Sequence, residues 1–197
     1  MQRLIIASSN KDKVREIKEI LYGIYEVVSM KEAGIEMHIV EDGTTFEQNA
    51  MKKATALYGV LKEPVLSDDS GLCVDALNGA PGVYSARYAG EHCSSSDNNA
   101  KLLKEMAGIQ NRQAKFVCAM VYYNGEDDNY TVRGEVKGSI LNKPSGTNGF
   151  GYDSLFFCDE INMGFGVAPN EIKNSVSHRA RALKQMTDYL KTKNQIK

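Results

Sequence analysis

Apolar and polar positions along this chain follow two rhythms, and their alternation predicts an α/β protein. Short apolar runs at Arg3 to Ala7 and Tyr25 to Ser29 read as strands, and Val65-Leu66 opens another. Between the first two, Val14, Ile17, Ile20 and Leu21 recur at helical spacing, the stripe of an amphipathic helix packed on a sheet. A second helix is expected from the turn at Glu41 to Glu47 as far as about Leu61, and a capped third from Ser94 to Met106 with Ala100, Leu103 and Met106 inward. Lys115 to Tyr123 and Asn129 to Ile140 read as a long strand pair around the polar turn Asn124 to Asp128. After the apolar Leu155-Phe156-Phe157, a last helix starts at His178 and buries Leu183, Met186, Tyr189 and Leu190. The expected fold is α/β, one domain over residues 1–197: a long mixed β-sheet flanked by helices, split into two lobes with a central cleft. The second lobe is expected around residues 112–141, since clefts between lobes are where small ligands tend to bind.

Candidate chemistry gathers where this pattern is broken by charge. Val65-Leu66-Ser67-Asp68-Asp69-Ser70-Gly71-Leu72 runs an apolar strand into two adjacent carboxylates, a hydroxyl and a glycine. On a strand Asp68 and Asp69 point to opposite faces, so one can serve structure while the other points into a site. A strand-end Mg²⁺ site fits, because that ion takes one or two carboxylates together with substrate phosphates. A polar strand end in which Asp and Ser bond to nearby backbone fits as well. Likewise, Ser8-Ser9-Asn10-Lys11-Asp12-Lys13 between strand and helix is either an anion cradle at a helix N-terminus or an ordinary capped helix with surface lysines. It is not the Walker loop, because GxxxxGK[ST] is absent. Asn49 and Lys53 stack one turn apart on the second helix, and Lys53 could equally be a snorkelling surface lysine. In Pro144 to Asp153 the glycines permit close backbone approach, and Phe150 or Tyr152 could stack on a base or plug the core. Ser177 is a natural N-cap, which puts His178 and Arg179 in a first turn where the helix dipole disfavours cations.

Composition narrows the partners. With 197 residues, 42% of them hydrophobic, the chain can bury a proper core. A formal net charge of −1 supplies no basic field for general nucleic-acid binding, so a polyanion must be met locally. Four cysteines without a CxxC pair and only three histidines argue against zinc and for reduced thiols in the cytoplasm. No apolar run behind a basic segment and no window of membrane-spanning length is present, so an untargeted protein with no membrane partner is expected.

Six stretches taken together resemble the inosine triphosphate pyrophosphatase family in its bacterial branch. They are Ser8-Ser9-Asn10 with Lys13; Glu41 before Thr45-Phe46 and Asn49-Ala50; Ser67 to Leu72; Gly79 to Arg87; Gly149-Phe150-Gly151-Tyr152-Asp153; and Ser177-His178-Arg179. They occur in family order and spacing from Leu4 to about Leu190. Two departures are small: Ser8-Ser9 stands where Thr-Gly is common, and Ser154 where a proline often follows the aspartate.

The resemblance implies Mg²⁺-dependent hydrolysis of ITP, dITP and XTP to the nucleoside monophosphate and pyrophosphate by a homodimer. It also implies roles. Asp69 would be the catalytic acid residue and a metal ligand, with Lys53 beside it, Glu41 as second metal carboxylate and Asp68 in support. Ser8, Ser9, Asn10, Lys11, Asp12 and Lys13 would cradle the triphosphate, with Ser70 as a further donor. Phe150 would stack on the purine within Gly151 and Tyr152, while Asp153, Lys173, His178 and Arg179 would read the base edge. A 6-oxopurine offers an acceptor at O6 and a proton at N1, whereas adenine would leave a buried donor unpaired at a cost of ~1 to 3 kcal/mol. Two alternatives are a pyrophosphatase for modified pyrimidine nucleotides and a nucleotide-binding sensor without turnover. The carboxylates and Lys53 weigh against the sensor, which needs no water-activating acid.

Overall fold

A computed structural model describes residues 2–195. The strands are β1 (Gln2–Ile6), β2 (Tyr25–Ser29), β3 (Val65–Val74), β4 (Gln113–Tyr123), β5 (Asn129–Ile140), β6 (Phe156–Cys158) and β7 (Met163–Gly164). The helices are α1 (Lys11–Ile20), α2 (Phe46–Leu61), α3 (Ser95–Glu105), α4 (Asn170–Val176) and α5 (His178–Gln195). All seven strands join one sheet in the order β2-β1-β3-β4-β5-β6-β7. Strand β1 is parallel to β2 and β3, whereas β6 is antiparallel to β5 and β7, so the sheet is mixed as expected.

Local chemistry sets the helix starts. The Asn10 side chain accepts from the backbone N–H groups of Asp12 and Lys13 and so caps α1. Thr45 accepts from the Gln48 N–H to cap α2, and Ser94 with Asp97 closes a capping box on α3.

The described chain falls into two compact units. The first comprises residues up to Asp69, Cys118–Gly134 and the chain from Arg179 onward; the second comprises Ser70–Val117 and Glu135–His178. In the first, alternation along each strand feeds two cores. Leu4, Ile6, Leu66 and Met120 pack with Ile17 from α1 and with Ala182, Leu183 and Met186 from α5. The intervening Ile5, Val65 and Val121 pack with Ala50, Ala54 and Leu57 from α2 on the opposite face. The second unit has its own core, in which Leu72, Leu102, Phe116, Ile140, Phe156 and Phe165 meet. Its aromatic centre brings the rings of Phe116 and Phe156 to 4.6 Å and those of Phe156 and Phe165 to 5.1 Å.

Two expectations about organisation change. The strand pair expected to build a second lobe over 112–141 is divided, because its middle, Cys118–Gly134, belongs to the first unit. There Cys118, Met120, Tyr122 and Val132 are buried with Leu66 and α5. Strand β3 does not end at Asp68 and Asp69 but continues to Val74. What ends there is the pairing with β1, whose last partners are Ile6 and Leu66. Helix α4, a seven-residue segment after Pro169, had no sequence reading of its own.

Candidate active site

Strand alternation sends the two adjacent acids to different partners. Asp69 follows Val65 and Ser67 onto the α2 face, where the Ser67 hydroxyl donates to the Ala50 carbonyl at 2.6 Å and holds strand to helix. Asn49, on α2, donates to Asp69 Oδ2 at 3.0 Å, and its own amide oxygen accepts from the Gly43 N–H at 2.7 Å. A Cβ on Gly43 would stand 2.6 Å from that oxygen, so this loop reaches α2 only because position 43 is glycine. One helical turn after Asn49, Lys53 Nζ donates to Glu41 Oε2 at 2.7 Å and lies 3.9 Å from Asp69 Oδ1. Burial raises the Asp69 pKa, and although Lys13, Lys53 and Asn49 oppose it, the carboxyl stays above its ordinary value. Burial acts to lower the Lys53 pKa, but the charges of Asp68, Asp69 and Glu41 outweigh it and hold the ammonium above its usual range.

Asp68 faces the other way and is sealed from solvent. Lys13 Nζ lies 3.3 Å from Asp68 Oδ2, Arg179 Nη2 lies 3.6 Å from it, and Arg179 Nη1 donates to Glu16 Oε2 on α1. Burial would raise the Asp68 pKa, yet Lys13, Arg179 and Lys53 overcome it and hold the carboxyl at about 2. Two of the sequence assignments therefore change. Asp68 is not open to a metal, because its charge is met by two protein cations in a closed space. The Arg179 guanidinium, assigned to a base edge, is buried and ties α1, β3 and α5 together.

The loop after β1 carries the residues expected to cradle the triphosphate. Ser8 is buried and its hydroxyl accepts from the Asn10 N–H at 3.3 Å, while Ser9, Asn10 and Lys11 are exposed. Two first-turn N–H groups, those of Asp12 and Lys13, are already taken by the Asn10 cap. The Asp12 carboxylate pairs with Arg15 at 2.8 Å, so it complements the helix dipole and brings no donor to an anion.

In the second unit, Ser70 follows Asp69 along β3 and is half-buried. Phe150, Gly151, Tyr152 and Asp153 lie on the glycine loop, with Lys173 on α4. The Phe150 N–H donates to Asp153 Oδ2 at 2.8 Å, and Lys173 Nζ donates to the same oxygen at 2.6 Å with both side chains buried. Lys173 Nζ also lies 5.1 Å from the Phe150 ring centroid, within cation–π range. Tyr152 is buried and its hydroxyl donates to the Ser85 carbonyl at 2.9 Å, so it packs in the core rather than offering a stacking face. His178 is also a core residue, its ring stacked on Phe116 at 4.9 Å. Asp153 and Lys173, assigned to the base edge from sequence, hold the loop as a buried pair.

Sequence reasoning left Asn49 and Glu16 out of the site. Asn49 carried a signal in its spacing of four from Lys53. Glu16 carried one as an acid set between Val14 and Ile17 at the edge of the apolar stripe of α1.

Among the described residues no group of three or more His, Cys, Asp or Glu side chains is gathered for a metal. Glu41 and Asp69 nevertheless approach one cation, Lys53 Nζ, and offer only hard oxygen donors. That fits an ion that takes one or two carboxylates and fills its remaining positions with water and phosphate.

Acids and lysines beyond the carboxyl end of β1, on a mixed sheet with helices on both faces, define the α/β class that carries polar chemistry at strand ends. The chain belongs to the Ham1 family, whose model matches residues 4–189. It is 50% identical over 196 residues to the dITP/XTP pyrophosphatase of Clostridium tetani, spanning 98% of each chain. It is 46% identical to the protein of that name from Treponema denticola, over 96% of this chain and 98% of that one. Among solved structures, the Ham1 protein of Staphylococcus aureus superposes with a TM-score of 0.87 at 36% identity, covering 98% of this chain and all of that one.

Proposed function

We infer that this chain is a hydrolase that cleaves non-standard purine nucleoside triphosphates of the dITP, ITP and XTP kind to the monophosphate and pyrophosphate. The observation that carries the reading is the Asp69–Asn49–Lys53–Glu41 cluster, set in a chain 50% identical over nearly its full length to a dITP/XTP pyrophosphatase. Opening the α–β anhydride needs a positioned water and positive groups on the triphosphate. Asp69, oriented by the Asn49 amide, accepts a hydrogen bond from the attacking water and takes its proton as the bond forms. Lys53 and Lys13 supply point charges to phosphate oxygens, and the exposed Ser9–Lys11 loop adds donors. Glu41 and Asp69 would hold Mg²⁺, which when bound screens the phosphate oxygens that otherwise repel the incoming water. Phe150 stacks on the purine, a contact worth ~1 to 3 kcal/mol.

We also propose that the protein works as a homodimer in the cytoplasm. Four cysteines without a CxxC pair suit a reducing compartment. Among the described residues, no helix is long and apolar enough to cross a membrane.

The deciding experiment is pyrophosphate release from XTP, dITP, ITP, GTP, ATP and dUTP, with Mg²⁺ and with EDTA, scored by kcat/KM. Turnover of the 6-oxo, non-guanine purines, lost in EDTA, is the expected result. Preference for dUTP or ATP would overturn the substrate assignment, and tight binding of XTP without turnover would make the protein a sensor.

A further inference from the structure

The Phe150 loop is held by more than its ion pair. Its Tyr152 hydroxyl donates to the carbonyl of Ser85, which sits in the helical turn Gly82–Arg87. The Ser85 hydroxyl in turn accepts from the Leu72 N–H at 2.9 Å and donates to the Gly82 carbonyl at 2.7 Å. Leu72 lies three residues beyond Asp69 on β3. Asn99 of α3 steadies the same loop by donating to the Gly151 carbonyl at 3.1 Å. Tyr152 and Ser85 are both buried, so water cannot readily replace these bonds. Burial also pushes the Tyr152 phenol up, which keeps it a donor across working pH.

We propose that Ser85 and Tyr152 are positioning residues that fix the Phe150 loop to strand β3 through the Leu72–Ser85–Tyr152 chain of hydrogen bonds, and thereby set affinity for the purine base. Neither side chain touches the reacting atoms. The proposal rests on the reading of Phe150 as the base-stacking residue. It explains why a tyrosine hydroxyl is buried in a core shared with Leu72 and Phe156. A phenylalanine would fill the same volume but leave the Ser85 carbonyl without this donor.

The test uses Tyr152→Phe, Ser85→Ala, Ser85→Thr and the Tyr152→Phe/Ser85→Ala double variant of the full chain. Steady-state kinetics with XTP is read beside hydrogen–deuterium exchange of the peptide covering residues 149–155. Tyr152→Phe should raise KM and speed that peptide's exchange, each by about three- to tenfold, while kcat stays within about twofold. Ser85→Ala should do the same and Ser85→Thr, which keeps the hydroxyl, should restore both. The double variant should be no worse than the more affected single variant, because both cuts open one chain of bonds. Unchanged exchange at 149–155, a loss confined to kcat, or fully additive effects would overturn the proposal. Faster exchange in Tyr152→Phe, with no turnover of XTP by the unaltered enzyme, would support the joint and overturn the functional reading instead.

Discussion

The Asp69 cluster and the Phe150 loop are both polar groups set against a packed core, but they are built from different parts. Around Asp69 the groups stand on β3 and α2, with Glu41 on the loop before α2, and β3 alternation decides which acid meets α2 and which meets α1 and α5. Around Phe150 the parts are glycines, turns and the short helix α4, held by one buried ion pair and bonds to backbone carbonyls. The first arrangement fixes charge in space, as chemistry on phosphates needs. The second fixes an aromatic plane and leaves the charges to hold the loop.

Asp69→Asn breaks the comparison at its most sensitive point. The amide keeps the size and can still meet Asn49, but it cannot take a proton from water. Turnover of XTP should fall by up to ~10⁴-fold, at the upper end of what one positioned base contributes. Circular dichroism and thermal melting should show an intact fold. Near-normal turnover would remove Asp69 from the chemistry.

The next largest effect separates charge that does chemistry from charge that holds structure. Arg179→Met leaves Asp68 and Glu16 buried without their guanidinium, and losing one partner of a buried pair costs about 3 to 5 kcal/mol. Urea unfolding should record that loss. The ratio of XTP to ATP turnover in the remaining folded enzyme should hold, whereas a base-reading arginine would change the ratio and spare stability. Lys173→Met should cost less, about 3 kcal/mol, because Asp153 still accepts from the Phe150 N–H.

How much of this was legible in the sequence follows the same division. β2 and β5 have the bounds their patterns predict and α2 ends where expected, since periodic segments announce themselves through burial. That Asp68 and Asp69 part company was also legible, because period-two alternation requires it. Which of them is sealed was not. That depends on Arg179, 111 positions later, arriving from α5 to meet Asp68, and spacing along the chain does not encode such a meeting. For the same reason His178 read as a ligand-facing cation and proved to be a ring stacked on Phe116. Tyr152 read either as an aromatic for a base or as a core plug, and its burial and its bond to the Ser85 carbonyl mark it as a core residue.

Phe150→Ala probes the loop alone. Removing the ring takes away a stack worth ~1 to 3 kcal/mol, so KM for XTP should rise by roughly 5- to 150-fold with kcat little changed. Equal losses in kcat and kcat/KM would instead tie Phe150 to the transition state.

The smallest expected effect lies one residue further on and tests whether the loop is shaped by sterics or by conformation. Gly149 and Gly151 both have positive φ, +74° and +61°. A Cβ at Gly149 would fall 2.1 Å from Asp153 Oδ2, while one at Gly151 would meet nothing within 4 Å. Gly151→Ala therefore carries only the left-handed backbone cost, about 1 kcal/mol, and leaves the Asp153–Lys173 pair in place. Gly149→Ala carries that cost and must also displace the carboxylate that holds the Phe150 N–H and Lys173. Thermal melting should rank Gly149→Ala well below Gly151→Ala, and KM for XTP should rise in the first variant only. Equal behaviour of the two would mean that backbone strain, and not the Asp153 contact, governs the loop.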